Sequence, residues 1–313
     1  MSSQATRAGD PTDVEAVTQE QAFRAPRKLT RAEKRAIDAK ARLTSPAASW
    51  IALAVAVLWT IPTVGLLVTS VRTRNDVQAD GWWNAFVRPL FTGFNYQQAL
   101  EGGLLDGFVN SFVITIPAVV IPITIALLAA YAFAWIQFPG RDLLFVAVFA
   151  LQVVPIQVTL IPLLTMYVDI GINGSFWPVW LSHTMFGLPL AIFLLHNFMK
   201  DVPASLVEAA RVDGAGHVTI FFKVLLPLLV PAIAAFFVFQ FLWVWNDLLV
   251  ALVFANNDAS PLTARVADLA GTRNNAWYLL ASGAFIAMVV PLAVFLGLQR
   301  FFVRGLLAGS VKG

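Results

Sequence analysis

His183, His196 and His217 are the only histidines in this chain of 313 residues, and it has no cysteine. Without thiols there is neither a disulfide framework nor a thiolate metal site. No histidine stands in a His-Glu-x-x-His zinc motif, and no carboxylate or second histidine sits at helical ligand spacing beside His183. No metal site is expected. A hydrolase embedded in a membrane would need a nucleophile and a base on facing helices, and no motif here supplies them. A phosphate-binding loop needs Gly-x4-Gly-Lys-Ser/Thr, yet no lysine in this chain precedes Ser or Thr. The chain is therefore expected to bind no nucleotide or other cofactor itself.

What remains is polar chemistry suited to contact rather than catalysis. Gln152 and Gln157 flank Pro155 in an apolar stretch. Polar side chains in such stretches usually face the interior of a bundle, where they hydrogen-bond a passing solute or tie helices together. His183 has the same two readings. Trp243, Trp245, Asn246 and Asp247 form a second candidate group, with aromatic rings able to stack on a solute beside polar side chains. An acid at a bilayer centre costs about 2.5–3.5 kcal/mol. Asp247 follows Pro227 by 20 residues, about 30 Å of helix, so it is expected near the outer surface. There it is either an interfacial acid or part of an outer mouth.

The elements that must position these groups are membrane helices. The chain is 58% hydrophobic and 12% charged, with mean hydropathy +0.74. A soluble domain carries about 25% charged residues. Six stretches are long and apolar enough to span, at roughly 47–71, 110–136, 143–167, 176–199, 228–254 and 278–302. The predicted fold is all-α, with residues 1–46 a polar basic tail and 47–313 one transmembrane domain. Within the tail, Ala32 to Ala41 is a candidate surface helix.

Lys and Arg set the orientation. Sixteen of the 21 fall on the side of the N-terminus if six spans alternate, and five on the other. Both termini are expected in the cytoplasm. Trp82, Trp83, Trp177, Trp180 and Trp277 lie near the opposite interface, which tryptophan prefers. The net charge of +3 and pI near 9.4 do not indicate nucleic-acid binding, because most of that charge sits in the N-terminal tail and short loops. An ion-coupled transporter would want ionisable groups at mid-membrane, and no span has an acid at its centre.

The cytoplasmic loop from Lys200 to Pro227 is the most organised segment outside the spans. Asp201 and Pro203 mark a helix start, and Ser205-x-x-Glu208 fits a capping box. Leu206, Ala209, Ala210 and Asp213 recur at helical spacing. Gly214 and Gly216 are expected to stop that helix, and His217 to Lys223 to form a second one. Such a helix–turn–helix suits docking into a partner's groove. Glu208 can pair with a basic group there, or serve only the helix N-terminus.

This loop resembles the coupling motif of binding-protein-dependent ABC importer permeases. The residues are Glu208-Ala209-Ala210, then Gly214, then Val224-Leu225-Leu226-Pro227, with Val224 where the family has Ile. Asn110-Ser111-Phe112, Ala130-Tyr131-Ala132-Phe133-Ala134, Phe138-Pro139-Gly140-Arg141, Ile161-Pro162-Leu163, Trp245-Asn246-Asp247 and Gln299 through Gly313 are similar to the carbohydrate branch, specifically to the second permease of maltose/maltodextrin-type and α-glucoside-type systems. The resemblance covers about 47–313. It implies a type I importer permease in the bacterial cytoplasmic membrane, importing a sugar by alternating access. It implies a second homologous permease, two ATP-binding subunits using ATP and Mg, and an extracytoplasmic solute-binding protein. Glu208, Ala209, Ala210, Asp213, Gly214, Val224, Leu226 and Pro227 would then contact the ATPase, and the C-terminal tail would reach between the ATPase subunits. A permease for a non-sugar solute shares the coupling motif and is the alternative.

Overall fold

A computed structural model describes Thr30 and residues 46–256, 258–272 and 276–308, without the side chains of 271–272 and 300–308. The basic tail, its candidate helix at Ala32 to Ala41, and residues 309–313 lie outside the described residues.

Ten helices carry the architecture: α1 (Pro46–Val71), α2 (Leu105–Trp135), α3 (Arg141–Ala150), α4 (Ile156–Asp169), α5 (Trp177–Lys200), α6 (Ala204–Val212), α7 (Leu226–Trp245), α8 (Leu249–Phe254), α9 (Leu262–Thr272) and α10 (Trp277–Ala308). Shorter helical segments, among them Arg74–Ala79, Phe94–Ala99, His217–Thr219 and Ile220–Leu225, join them, and among the described residues there is no strand beyond one isolated bridge. Five helical runs are long and apolar enough to cross a membrane, or six if the bent pair α3–α4 is counted as one span. Residues up to Thr63 group as one unit and those from Val64 as another. In the first, Trp50, Leu58 and Trp59 of α1 are exposed, as expected of a surface made for lipid or protein rather than water.

Two spans depart from the sequence expectation. The third is not one rod: its halves meet at 99°. Val154 and Pro155 are both extended, at ψ 120° and 131°. Proline disfavours a helical predecessor and lacks the N–H that would continue the ladder, and at Pro155 the helix gives way to that preference. The fifth span, expected to run to 254, stops at Trp245, and α8 begins after a break at Asn246–Leu248.

In the second unit α2, α5 and α7 pack around small residues. Ala118, Ala126, Ala130, Ala191 and Ala232 are almost wholly buried, and small side chains let membrane helices approach closely. Prolines interrupt these helices, and each missing N–H leaves the carbonyl four residues earlier without its partner. Three such carbonyls are filled from neighbouring helices. Trp180 Nε1 donates to Val113 O at 2.9 Å, opposite Pro117. Gln240 Nε2 donates to Ala118 O at 3.3 Å, opposite Pro122. Trp245 Nε1 donates to Ala287 O at 3.1 Å, opposite Pro291. Such substitution is what makes proline tolerable where no water can serve.

The end of the second unit away from residues 200–227 is held by polar staples. Arg72 is buried and donates to Asp80 Oδ1 at 2.6 Å and to Gly81 O at 2.8 Å. That guanidinium holds the Asp80 carboxyl below the usual carboxylate range. Asn95 Nδ2 donates to the carbonyls of Ser70 and Arg72. Asn110 Nδ2 donates to Asp258 O and Ser260 O, and Ser111 Oγ accepts from Leu262 N. The Asn110-Ser111 pair therefore fastens the start of α2 to the segment leading into α9.

Candidate functional site: a projecting helix and a broken span

Residues 200–227 begin with Pro203, whose fixed φ of −55° leads into α6. Ser205 lies inside α6, and no side chain caps its start. The capping box expected at Ser205 and Glu208 is therefore not formed, because the helix begins one residue ahead of that serine. The other end is closed by backbone alone. Gly214 takes φ +81°, its N–H donates to Arg211 O at 3.0 Å, and Ala215 N donates to Ala210 O at 2.9 Å. This pair of bonds is a Schellman stop. A Cβ at Gly214 would meet nothing within 4 Å, so glycine is required here by conformation and not by space.

Val207 docks α6 on the core and is 2% exposed, while Val212 is 87% exposed. Glu208, Ala209, Asp213 and Gly214 are exposed and Ala210 is half-buried. The projecting face thus combines two acids with small and apolar side chains. Gly216 is extended and starts the next helix, which runs without interruption from His217 to Trp245. Its stretch Ile220–Leu225 is π-helical. Val224 and Leu226 are half-buried there, and Pro227 is exposed. The short second helix expected at His217 to Lys223 is thus the first part of a span. The helix is anchored at its start: Tyr131 of α2 and His217 share a hydrogen bond, 2.6 Å between the phenol oxygen and Nδ1.

The broken span brings Gln152 and Gln157 together. Both are exposed and line a cavity of about 450 Å³ with Thr159, Met185, Phe186 and Pro189. That volume falls within the range of small-molecule pockets. No charged side chain lines it. Two amides and a hydroxyl over an apolar floor can hydrogen-bond a neutral polyhydroxylated solute.

The second candidate group does not join this cavity. His183 is buried, with Nε2 3.7 Å from Asp247 Oδ2 and its ring edge-on to Trp243. Asp247 accepts from Val250 N and Ala251 N and so caps α8. Asn246 is exposed and donates to Leu242 O. Trp245 is 2% exposed, packed against Phe108, Phe112 and Phe241. Its ring is committed to the core and its N–H to Ala287 O. Within this subunit these residues organise the break between α7 and α8. Sequence reasoning passed over Gln240, Tyr131 and the staple role of Asn110. A signal for Gln240 existed, since a lone glutamine in an apolar run beside proline-bearing helices has freed carbonyls to find.

The comparisons agree with this architecture. Residues 122–307 match the family described as "Binding-protein-dependent transport system inner membrane component". The osmoprotective compounds uptake permease protein GgtD of Synechocystis sp. is 55% identical over 83% of this chain and 90% of its own length. The alpha-glucoside transport system permease protein AglG of Rhizobium meliloti is 51% identical over 74% of this chain and 63% of its own. The melibiose/raffinose/stachyose import permease protein MelC of Bacillus subtilis is 32% identical over 81% and 91%. One chain of a bacterial ABC transporter involved in the import of the acidic polysaccharide alginate superposes with TM-score 0.68 at 18% identity, over 89% of this chain and 100% of that one, which speaks to the fold alone. The all-helical fold, the apolar spans and these matches lead to one conclusion: the chain belongs to the inner-membrane permease family of binding-protein-dependent ABC importers.

Proposed function

We propose that this chain is the permease subunit of an ATP-driven importer that carries a sugar, an oligosaccharide or α-glucoside, across the cytoplasmic membrane by alternating access. The observation that carries the reading is the projecting α6, closed at Gly214 and standing out at one end of a membrane-spanning chain of this family. With both termini in the cytoplasm, that end faces the cytoplasm. Two ATP-binding subunits, holding ATP and Mg, would grip the Glu208 to Pro227 segment of this chain and of a second homologous permease. Closure of the ATPase pair moves the loops, and the loops move the spans. A solute-binding protein delivers the sugar from outside, and this chain itself hydrolyses nothing. Gln152 and Gln157 are the groups proposed to meet the solute, since both line the cavity at the bend of the broken span.

A sugar is favoured because the cavity lining is neutral and because AglG and MelC are sugar permeases by name. A second reading, uptake of an osmoprotective compound, is favoured by the 55% identity to GgtD. ATP hydrolysis in proteoliposomes holding this chain with its second permease, ATPase and binding protein separates the two. Stimulation by an α-glucoside-loaded binding protein is the expected result. Stimulation only by a compatible solute that is not a sugar would retain the importer and replace its substrate. Failure of any ATPase-containing complex to form would overturn the assignment of the loop.

A further inference from the structure

The reading of residues 200–227 as an ATPase contact leaves open how their movement reaches the spans. α6 has no side-chain cap at its start, and a backbone turn closes its other end. Its apolar anchor is Val207. Beyond its closing turn, His217 is exposed and meets the hydroxyl of Tyr131 at 2.6 Å. Tyr131 is 7% exposed and sits in the last turns of α2, with its ring edge-on to His217 and to Phe221. Phe221 lies inside the π-helical stretch, a form of helix whose ladder is locally misregistered and which recurs at functional sites.

We propose that Tyr131 is a positioning residue that transmits displacement of the 200–227 loop to α2 through its hydrogen bond to His217. This inference rests on the loop being the ATPase contact. α2 has a place to yield. Pro117 and Pro122 remove two ladder bonds in its middle, and the freed carbonyls accept instead from the side chains of Trp180 and Gln240. Proline sites are where long helices bend. A pull on Tyr131 therefore acts on the segment beyond those two prolines and swings it against the stapled end at Asn110. His217 serves in either tautomer. Neutral with Nδ1 bare it accepts from the phenol, and with Nδ1 protonated it donates to the phenol oxygen.

The test uses the assembled transporter in proteoliposomes, with its binding protein and an α-glucoside disaccharide. Tyr131→Phe keeps the ring against Phe221 and removes only the hydroxyl. ATPase attachment is expected to be unchanged. Sugar carried per ATP hydrolysed is expected to fall about fivefold, the equilibrium effect of one ordinary hydrogen bond. His217→Ala should lower the ratio equally, and the double variant should fall no further, since both singles break one bond. A normal ratio in both single variants overturns the proposal. So does loss of ATPase attachment in Tyr131→Phe, which would make the contact structural. Gly214→Val separates this proposal from the reading beneath it. If that variant releases the ATPase while Tyr131→Phe has no effect, the loop assignment stands and the Tyr131 role falls. If Gly214→Val stays attached and coupled, the loop assignment itself fails and takes the proposal with it.

Discussion

The two ends of the second unit are held by different chemistry. At one end Arg72, Asn95, Asn110 and Ser111 fasten loops to helix starts through hydrogen bonds, most of them to backbone groups and one to a charged partner. At the other, α6 is docked through the buried Val207 with Ala210 packed beside it, stopped at Gly214, and followed by the side-chain bond of Tyr131 to His217. Many directional bonds define a single arrangement, because each buried polar group must keep its partner. Apolar contacts allow a helix to shift with less loss, since apolar attraction is non-directional. The stapled end is the more narrowly defined and the loop end the less, which is the asymmetry that the proposed alternating access driven from the loop calls for.

Three substitutions would break or sharpen that contrast. Arg72→Ala should have the largest effect on the fold. It removes a charge-assisted bond to Asp80 and leaves Gly81 O without its donor, a loss of about 3 kcal/mol. Thermal unfolding in detergent should show it, while ATPase attachment at the opposite end survives in the molecules that remain folded. Gly214→Val should cost less, about 1–2 kcal/mol for a β-branched residue held in the left-handed region. That cost falls on the turn alone. The thermal midpoint should barely move, yet co-purification of the ATPase should drop sharply. Equal effects of the two variants on both measurements would erase the distinction between the ends. Gln240→Leu tests the middle and should cost least, about 0.6 kcal/mol as a typical hydrogen bond between membrane helices. It frees Ala118 O while leaving a side chain of similar length against Gly187, whose lack of a Cβ is what admits residue 240 so closely. Transport rate should change more than stability, and an unchanged rate would show that the Pro122 site does not bend during the cycle.

Much of this was legible beforehand, and for local reasons. Gly214 announced itself because a left-handed stop depends on one residue's own backbone. The six apolar stretches announced themselves because the length of a span is set by lipid thickness. The capping box at Ser205 misled, since Pro203 starts the helix first and places the serine inside it. Pro155 was visible, but so were eight other prolines within the expected spans. Only Pro155 breaks its span outright, and what fills some of the others lies elsewhere in the chain. Gln152 and Gln157 were singled out as a pair, and the 99° bend is what opens both onto one cavity. Trp245 looked like a stacking surface because its neighbours Asn246 and Asp247 are polar. Its ring instead meets Phe108, Phe112 and Phe241, and its N–H meets α10.

The sequence by itself determined the medium, the number of apolar stretches and the projecting loop. Each follows from composition, run length or a turn rule that acts over a few residues. Only the tertiary structure decided which proline breaks a helix and which is absorbed. It also decided which polar residues open onto a cavity and which serve as caps and staples. The physical reason is that a carbonyl freed by proline, or a glutamine in an apolar run, must find its partner across the bundle. Trp180 and Val113 are 67 residues apart, and Gln240 and Ala118 are 122 apart. No pattern along the chain specifies such a meeting, and it exists only once the helices have packed.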